Sequence, residues 1–161
     1  MRTKEQCHRM AFEEAMVRQK FPGFEVYDRQ GTPFYVGRLT GPGFRNWYEL
    51  TLRLLPGHPE EGPPSLLVTA PAVLPLYGNR GTLNALGSSA DYHVFKNDGG
   101  PVKICFTHGW TPSGTAVMCL WRGSLWVTAY ELHLATGQTI AEIIAAWKEK
   151  LDHYGRLGQG G

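Results

Sequence analysis

The sequence predicts a single α+β domain in which one helix precedes an antiparallel sheet and two further helices follow it. Three observations predict this order. Apolar residues have helical spacing near both ends of the chain, runs rich in β-branched and aromatic residues lie between positions 24 and 69, and Gly and Pro separate those runs. A length of 161 residues with 42% hydrophobic content suits one well-filled core and is short for two domains.

The first helix is predicted over residues 4–20. Thr3 and Gln6 form a capping-box pattern, and the turn-forming residues 21–23 end the helical run. We expect one face of this helix to contact the core through Cys7, Met10, Ala11 and Val17. The exposed side is then basic and suits an acidic partner, because it carries Arg2, Lys4, Arg9, Arg18 and Lys20.

Four strands are predicted after this helix. They cover residues 24–27, 34–39, 47–54 and 65–69. Turn-forming residues separate the first three, and the Pro- and Gly-rich residues 55–64 precede the fourth. Because consecutive strands are joined in this way, a four-stranded antiparallel meander is the natural topology.

The region after the meander is predicted to return from loop to helix. Residues 70–92 show no sustained period and are predicted as a long loop, with a short helical turn near residues 83–86. A helix is then predicted from Thr115 to Ala135, with a bend at Gly123.

The last helix begins at a second capping box, formed by Thr139 and Glu142. It is predicted to end near Tyr154 and to bury a stripe of Ile140, Ile143, Ile144, Trp147 and Leu151. A single domain is therefore expected over residues 1–154, and a flexible Gly-rich tail over 155–161.

Composition excludes several classes of function. The 16 basic and 14 acidic residues are scattered and leave a net charge of +2, so the chain lacks the basic stripe that nucleic acid requires. No apolar run reaches about 18 residues, and the N-terminus does not resemble a signal peptide, so we expect a cytoplasmic protein without membrane contact. Three widely spaced cysteines suit reduced thiols better than disulfides.

Eight short motifs then follow one another along the chain. They are Gly41-Pro42, Tyr48-Glu49, Pro56-Gly57-His58-Pro59, Pro63-Pro64, the strand ending at Thr69, His93, Ile104-Cys105-Phe106 and Trp110-Thr111-Pro112. In this order they resemble the ubiquitin-conjugating enzyme family, across roughly residues 4–136. Each motif alone is weakly specific, whereas the ordered series is strongly specific.

The resemblance implies a ubiquitin-conjugating-enzyme fold with Cys105 as its catalytic residue. Cys105 would accept a ubiquitin-like protein as a thioester from an activating enzyme and transfer it to an amine of a protein substrate. A thiolate suits this task because it attacks thioesters readily, and the new thioester stays reactive toward amines. Cys7 and Cys119 occupy apolar helical positions and are expected to be structural.

The chain departs from the family at one position that matters for catalysis. Where the family has His-Pro-Asn, this chain has His93 followed by Val and Phe, so the asparagine credited with stabilising the oxyanion is missing. Asn97 and His108 are the candidates to replace it, as hydrogen-bond donors near Cys105. His93 is expected to have a structural hydrogen-bonding role, and Asp98 to be a solvated loop carboxylate.

The missing asparagine and the altered loop lengths resemble the bacterial relatives of this family. Such relatives are typically encoded beside an activating enzyme, a ubiquitin-like protein and a metal-dependent deconjugating peptidase, often in antiviral defence operons. The resemblance therefore implies these partners, and it implies no cofactor. Cys105 and His108 have the spacing of one half of a zinc site, but a structural site needs paired ligands, so no metal is expected.

Two rival functions stay open at this point. Inactive variants of the same fold bind ubiquitin or partner proteins without a thioester, although they usually lack the cysteine that this chain keeps. A cysteine hydrolase would combine Cys105 with a histidine, but the sequence contains no evident Asp or Asn to orient that histidine.

Overall fold

The computed structural model of the chain describes residues 2–157. Helix α1 (Lys4–Lys20) leads into strands β1 (Phe24–Arg29), β2 (Thr32–Leu39), β3 (Tyr48–Arg53) and β4 (Ser65–Ala70). A 3-10 turn (Tyr77–Asn79), the short helix α2 (Leu83–Leu86) and the short strands β5 (Val94–Phe95) and β6 (Val102–Ile104) follow. Helices α3 (Ala116–Thr136) and α4 (Ile140–Leu157) complete the fold. The predicted α+β class is confirmed.

The sheet is antiparallel throughout, with strand order β1-β2-β3-β4-β6-β5. Its first four strands form the predicted meander. Strands β5 and β6 extend it, because Lys103 pairs with Leu67 of β4 and with Phe95 of β5. Sequence analysis missed both strands, since runs of two and three residues are too short to establish a period of two.

Helix α3 packs against the inner face of the sheet and runs without a break through Gly123. The predicted bend at this glycine is wrong. A Cβ at position 123 would lie 2.9 Å from Leu66 Cδ2 and 3.0 Å from Leu50 Cδ1. Glycine is therefore needed here because the helix approaches β3 and β4 closely, and not because the backbone turns.

Helix α1 uses the apolar face that its sequence predicts only in part. Val17 is fully buried and Met10 packs against the core, whereas Cys7 and Ala11 are exposed and Glu13 is buried. The prediction missed Glu13 because a buried carboxylate cannot be recognised from helical spacing alone. Partners elsewhere in the fold must compensate for the loss of its hydration.

The Glu13 carboxylate accepts three hydrogen bonds inside the protein. The donors are Arg9 Nε at 2.9 Å, His58 Nε2 at 3.2 Å and the Ala116 N–H at 2.8 Å. Burial raises the pKa of Glu13, but the bonds from His58, Ala116 and Arg9 outweigh it and hold the pKa below its usual value. Glu13 therefore joins α1 to the start of α3 as a buried anion.

Ion pairing also reduces the basic exposed side expected on α1. Arg9 bonds Glu13 and the backbone oxygens of residues 112 and 114, Arg2 pairs with Asp28 at 3.1 Å, and Arg18 pairs with Glu14. Three of the five basic residues are thus engaged within the chain, which weakens the expected charge of this surface.

For helix α4, the predicted start is confirmed and the predicted end is corrected. Thr139 and Glu142 exchange both bonds of the predicted capping box, at 2.8 and 3.2 Å. Helix α4 continues to Leu157, so the tail expected from residue 155 begins in helix, and residues 158–161 of that tail lie outside the described residues. No helix within residues 2–157 is long and apolar enough to cross a membrane.

Candidate active site at Cys105

Cys105 lies where the chain leaves the sheet after β6. Its N–H donates to the backbone oxygen of His93 at 2.8 Å, which closes the open end of the β5–β6 hairpin. His93 adopts a left-handed backbone conformation with φ of 49°. Such a conformation is uncommon outside glycine and is found preferentially at functional sites. The backbone oxygen of His93 thus makes a structural hydrogen bond, and the role of its side chain stays a prediction.

The half-buried Cys105 side chain lines a cleft of about 440 Å³ between the segment of residues 104–109, α3 and α4. Apolar walls come from Ile104, Phe106, Leu125, Trp126, Ile144 and Trp147. Polar groups come from His93, His108, Arg122 and Lys148. An apolar pocket with a few convergent polar groups is typical of a ligand or reaction site.

The two histidines of this cleft face each other, with ring centroids 6.0 Å apart. The turn that follows Cys105 returns His108 toward the sheet. The Thr107 hydroxyl stabilises this turn by donating a hydrogen bond to the Gly109 oxygen at 3.0 Å. Burial, together with the charges of His108 and Lys148, lowers the pKa of His93. The His93 ring is therefore neutral near pH 7.

The Cys105 thiol is not activated in the resting protein. Burial raises the pKa of this thiol, and the Thr107 backbone offsets only part of the effect. Within the described residues, the one hydrogen-bond contact of Sγ is to the Thr107 oxygen at a long 4.0 Å, and neither histidine ring bonds it. This differs from cysteine hydrolases, in which an imidazolium lowers the pKa of the thiol.

The structure does not bring Asn97 to Cys105. Asn97 forms the turn of the β5–β6 hairpin, where its Nδ2 donates to the Pro101 oxygen at 2.7 Å. Cys105 lies at the other end of that hairpin, about 13 Å away for four residues of extended chain. Asp98 is 86% exposed and pairs with Lys96 at 3.4 Å, as expected of a solvated carboxylate.

Comparison with protein-family models, with curated proteins and with solved structures finds no match for this chain. Residues 2–157 contain no cluster of three or more His, Cys, Asp or Glu that could hold a metal ion.

Sequence analysis missed three residues of the cleft. Arg122 lies on α3 and donates to the Phe106 oxygen at 3.2 Å, so it also holds the segment after Cys105. Trp147 and Lys148 reach the cleft from α4. Helical spacing predicted a buried position for Trp147 and gave no role to Arg122 or Lys148. These residues reach the site only because α3 and α4 pack beside Cys105.

Proposed function

We propose that this chain is a ubiquitin-conjugating-type enzyme, in which Cys105 carries a ubiquitin-like protein as a thioester. The observation that carries the proposal is the place of Cys105, a half-buried thiol on the wall of a cleft at the end of a sheet strand. The other two cysteines do not compete, because Cys7 lies on the exposed surface of α1 and Cys119 is fully buried in α3. The order of helix, antiparallel meander, cysteine segment and helices also agrees with the fold of that family.

Loading is a thioester exchange. The Cys105 thiolate attacks the carbonyl of the thioester on the activating enzyme, and the thiol of that enzyme leaves. A raised thiol pKa makes the thiolate scarce, but it makes each thiolate a stronger nucleophile. At neutral pH the thiolate fraction is therefore small, and a partner that presents a thioester in the right geometry speeds loading.

Discharge depends on groups of the protein that lie beside Cys105. The amine attacks the thioester carbonyl, the C–S bond breaks, and Cys105 is restored as a thiol. A hydrogen-bond donor beside the carbonyl stabilises the negative charge that develops on its oxygen. His108 lines the same cleft as Cys105 and is the better candidate for this donor, because Asn97 lies at the far end of the hairpin.

A hydrolase is a weaker reading of the same cleft. It needs an activated thiolate, whereas burial raises the pKa of Cys105. No carboxylate or amide side chain among the described residues bonds the ring of His93 or His108, so neither ring is oriented as in a catalytic triad. The deconjugating peptidase and the role in antiviral defence stay predictions of the resemblance, and the cytoplasmic location stays a prediction from the sequence.

A chemically defined thioester tests the proposal without knowledge of the natural cargo. A fluorescent peptide that ends in glycine, as its mercaptoethanesulfonate thioester, is incubated with the protein at about pH 8, where more thiolate is present. All variants carry Cys7→Ser, because the exposed Cys7 thiol would itself exchange with the thioester. In this background the protein that keeps Cys105 is expected to form an adduct that dithiothreitol cleaves, and Cys105→Ala is expected to form none.

Catalysis is then measured by adding free lysine to the purified adduct. Transfer from Cys105 is expected to exceed transfer from the glutathione thioester of the same peptide by about 10-fold or more, because only Cys105 has a donor nearby. In the Cys7→Ser background, an adduct that survives Cys105→Ala refutes the assignment of the nucleophile. Equal transfer rates indicate a binding module, and accelerated hydrolysis without transfer indicates a hydrolase.

A further inference from the structure

The cleft beside Cys105 is positively charged. Arg122 and Lys148 both line it, and neither forms an ion pair with another described residue. The described residues that line the cleft include no Asp or Glu. No described acidic side chain of the cleft wall neutralises these two cations, so their positive charge acts on any molecule that enters the cleft.

The two cations lie beside large apolar side chains of the wall, among them Trp126 and Trp147. Both cations are exposed, so they act as charges near a protein surface, where salt screens them. One group already responds to them, because burial lowers the pKa of His93 and the charges of His108 and Lys148 lower it further. A second cation in the cleft would meet the same repulsion.

We propose that this cleft selects acceptors in which an anionic group accompanies the attacking amine, such as a lysine next to an acidic residue in a peptide. The inference rests on the proposed function and names its class of acceptor. An isolated ammonium is repelled by Arg122 and Lys148, whereas a neighbouring carboxylate offsets that repulsion. The same cations favour the neutral amine, which is the form that attacks.

The reaction itself is an ordinary aminolysis. The neutral amine attacks the thioester carbonyl, a C–N bond forms, and the C–S bond to Cys105 breaks. The surplus proton of the amine neutralises the departing thiolate, so the products are an amide and the Cys105 thiol. The acidic neighbour takes no part in bond making and acts only by binding.

Two acceptors that differ in a single carboxylate test the inference. Nα-acetyl-lysine carries the carboxylate, and Nα-acetyl-lysine amide has the same ε-amine without it. Discharge of the peptide thioester from Cys105, in the Cys7→Ser background, is followed by mass spectrometry. The acid is expected to react about 5- to 10-fold faster at low ionic strength, and this preference is expected to shrink at about 0.5 M NaCl, where charges are screened.

Substitutions in the cleft then assign the preference to its cations. Lys148→Gln and Arg122→Gln are each expected to lower the ratio of the two rates, and the double variant to bring it near one. Lys150→Gln is the matched control, because this residue lies on the same helix outside the cleft, and it should leave the ratio unchanged.

The outcomes distinguish failure of the charge preference from failure of the proposed function. Equal rates for the two acceptors, both above that of the glutathione thioester, overturn the charge preference and leave the conjugating function intact. A preference that persists in the double variant also overturns it. If neither acceptor reacts faster than with the glutathione thioester, the proposed function fails and the inference fails with it.

Discussion

Replacing Glu13 by alanine is expected to destabilise the protein by about 3 to 5 kcal/mol, the usual cost of breaking a buried ion pair from one side. The magnitude follows from what the substitution leaves behind. The Ala116 N–H and the His58 ring lose their acceptor while buried, at about 1 to 3 kcal/mol each. Arg9 also keeps a partly buried charge that has lost its carboxylate.

Glu14 offers a matched control on the same helix. Its carboxylate is 38% exposed and, among the described residues, forms an ion pair only with Arg18, so Glu14→Ala is expected to cost less than about 1 kcal/mol. Both variants are compared with wild type by urea unfolding at pH 7, followed by tryptophan fluorescence and analysed by linear extrapolation. A cost below about 1 kcal/mol for Glu13→Ala, or equal costs for the two variants, would refute the buried network.

Acidification provides an independent check on the same carboxylate. The folded protein holds the pKa of Glu13 below its ordinary value of 4.5, so its contribution is fully present above that pH. The contribution is lost as the pH falls through the folded-state pKa. The stability difference between wild type and Glu13→Gln should therefore narrow as the pH falls below 4.5. A difference that stays constant over this range contradicts the depressed pKa.

Three further predictions concern the site and its scaffold. Because burial raises the thiol pKa, iodoacetamide should alkylate Cys105 at pH 7 more slowly than a cysteine in an unstructured peptide, as measured by mass spectrometry. Cys119, with its pKa raised to about 12, should react only after unfolding. Alkylation of Cys105 that is faster than that of the peptide would contradict the raised pKa. Discharge from preloaded Cys105 should slow by about 10- to 100-fold in His108→Ala and remain near wild type in Asn97→Ala, and single-turnover rates that rank the two variants in the opposite order refute the choice of donor. Gly123→Ala should destabilise the fold by about 1 kcal/mol in urea unfolding, since the clash with Leu50 and Leu66 outweighs the better helix propensity of alanine, and a stabilised variant would show that α3 can move away from the sheet.

Local sequence was enough to predict most of the elements. The capping boxes at Thr3 and Thr139, the four-stranded meander and the short helix at residues 83–86 depend on neighbours along the chain, and the structure has all of them. The errors arose where a distant part of the fold decides what a residue does. Glu13 is buried because His58 and the start of α3 bond it.

The candidate site divides in the same way. The sequence by itself singled out Cys105 and His108, which are three positions apart, and the structure places both in one cleft with His93. Their proximity follows from the short turn after β6 and from the hairpin that pairs β6 with β5. Asn97 is equally near in sequence, but the hairpin extends it away from Cys105.

What only the tertiary structure decided is the chemical character of that cleft. Arg122 and Lys148 belong to helices whose sequences assigned them no role in the site, and neither lies near Cys105 along the chain. They reach the site because α3 packs on the sheet and α4 packs on α3. Charge and burial depend on distances in space, and periodicity along a sequence determines the face on which a residue lies but not what that face meets.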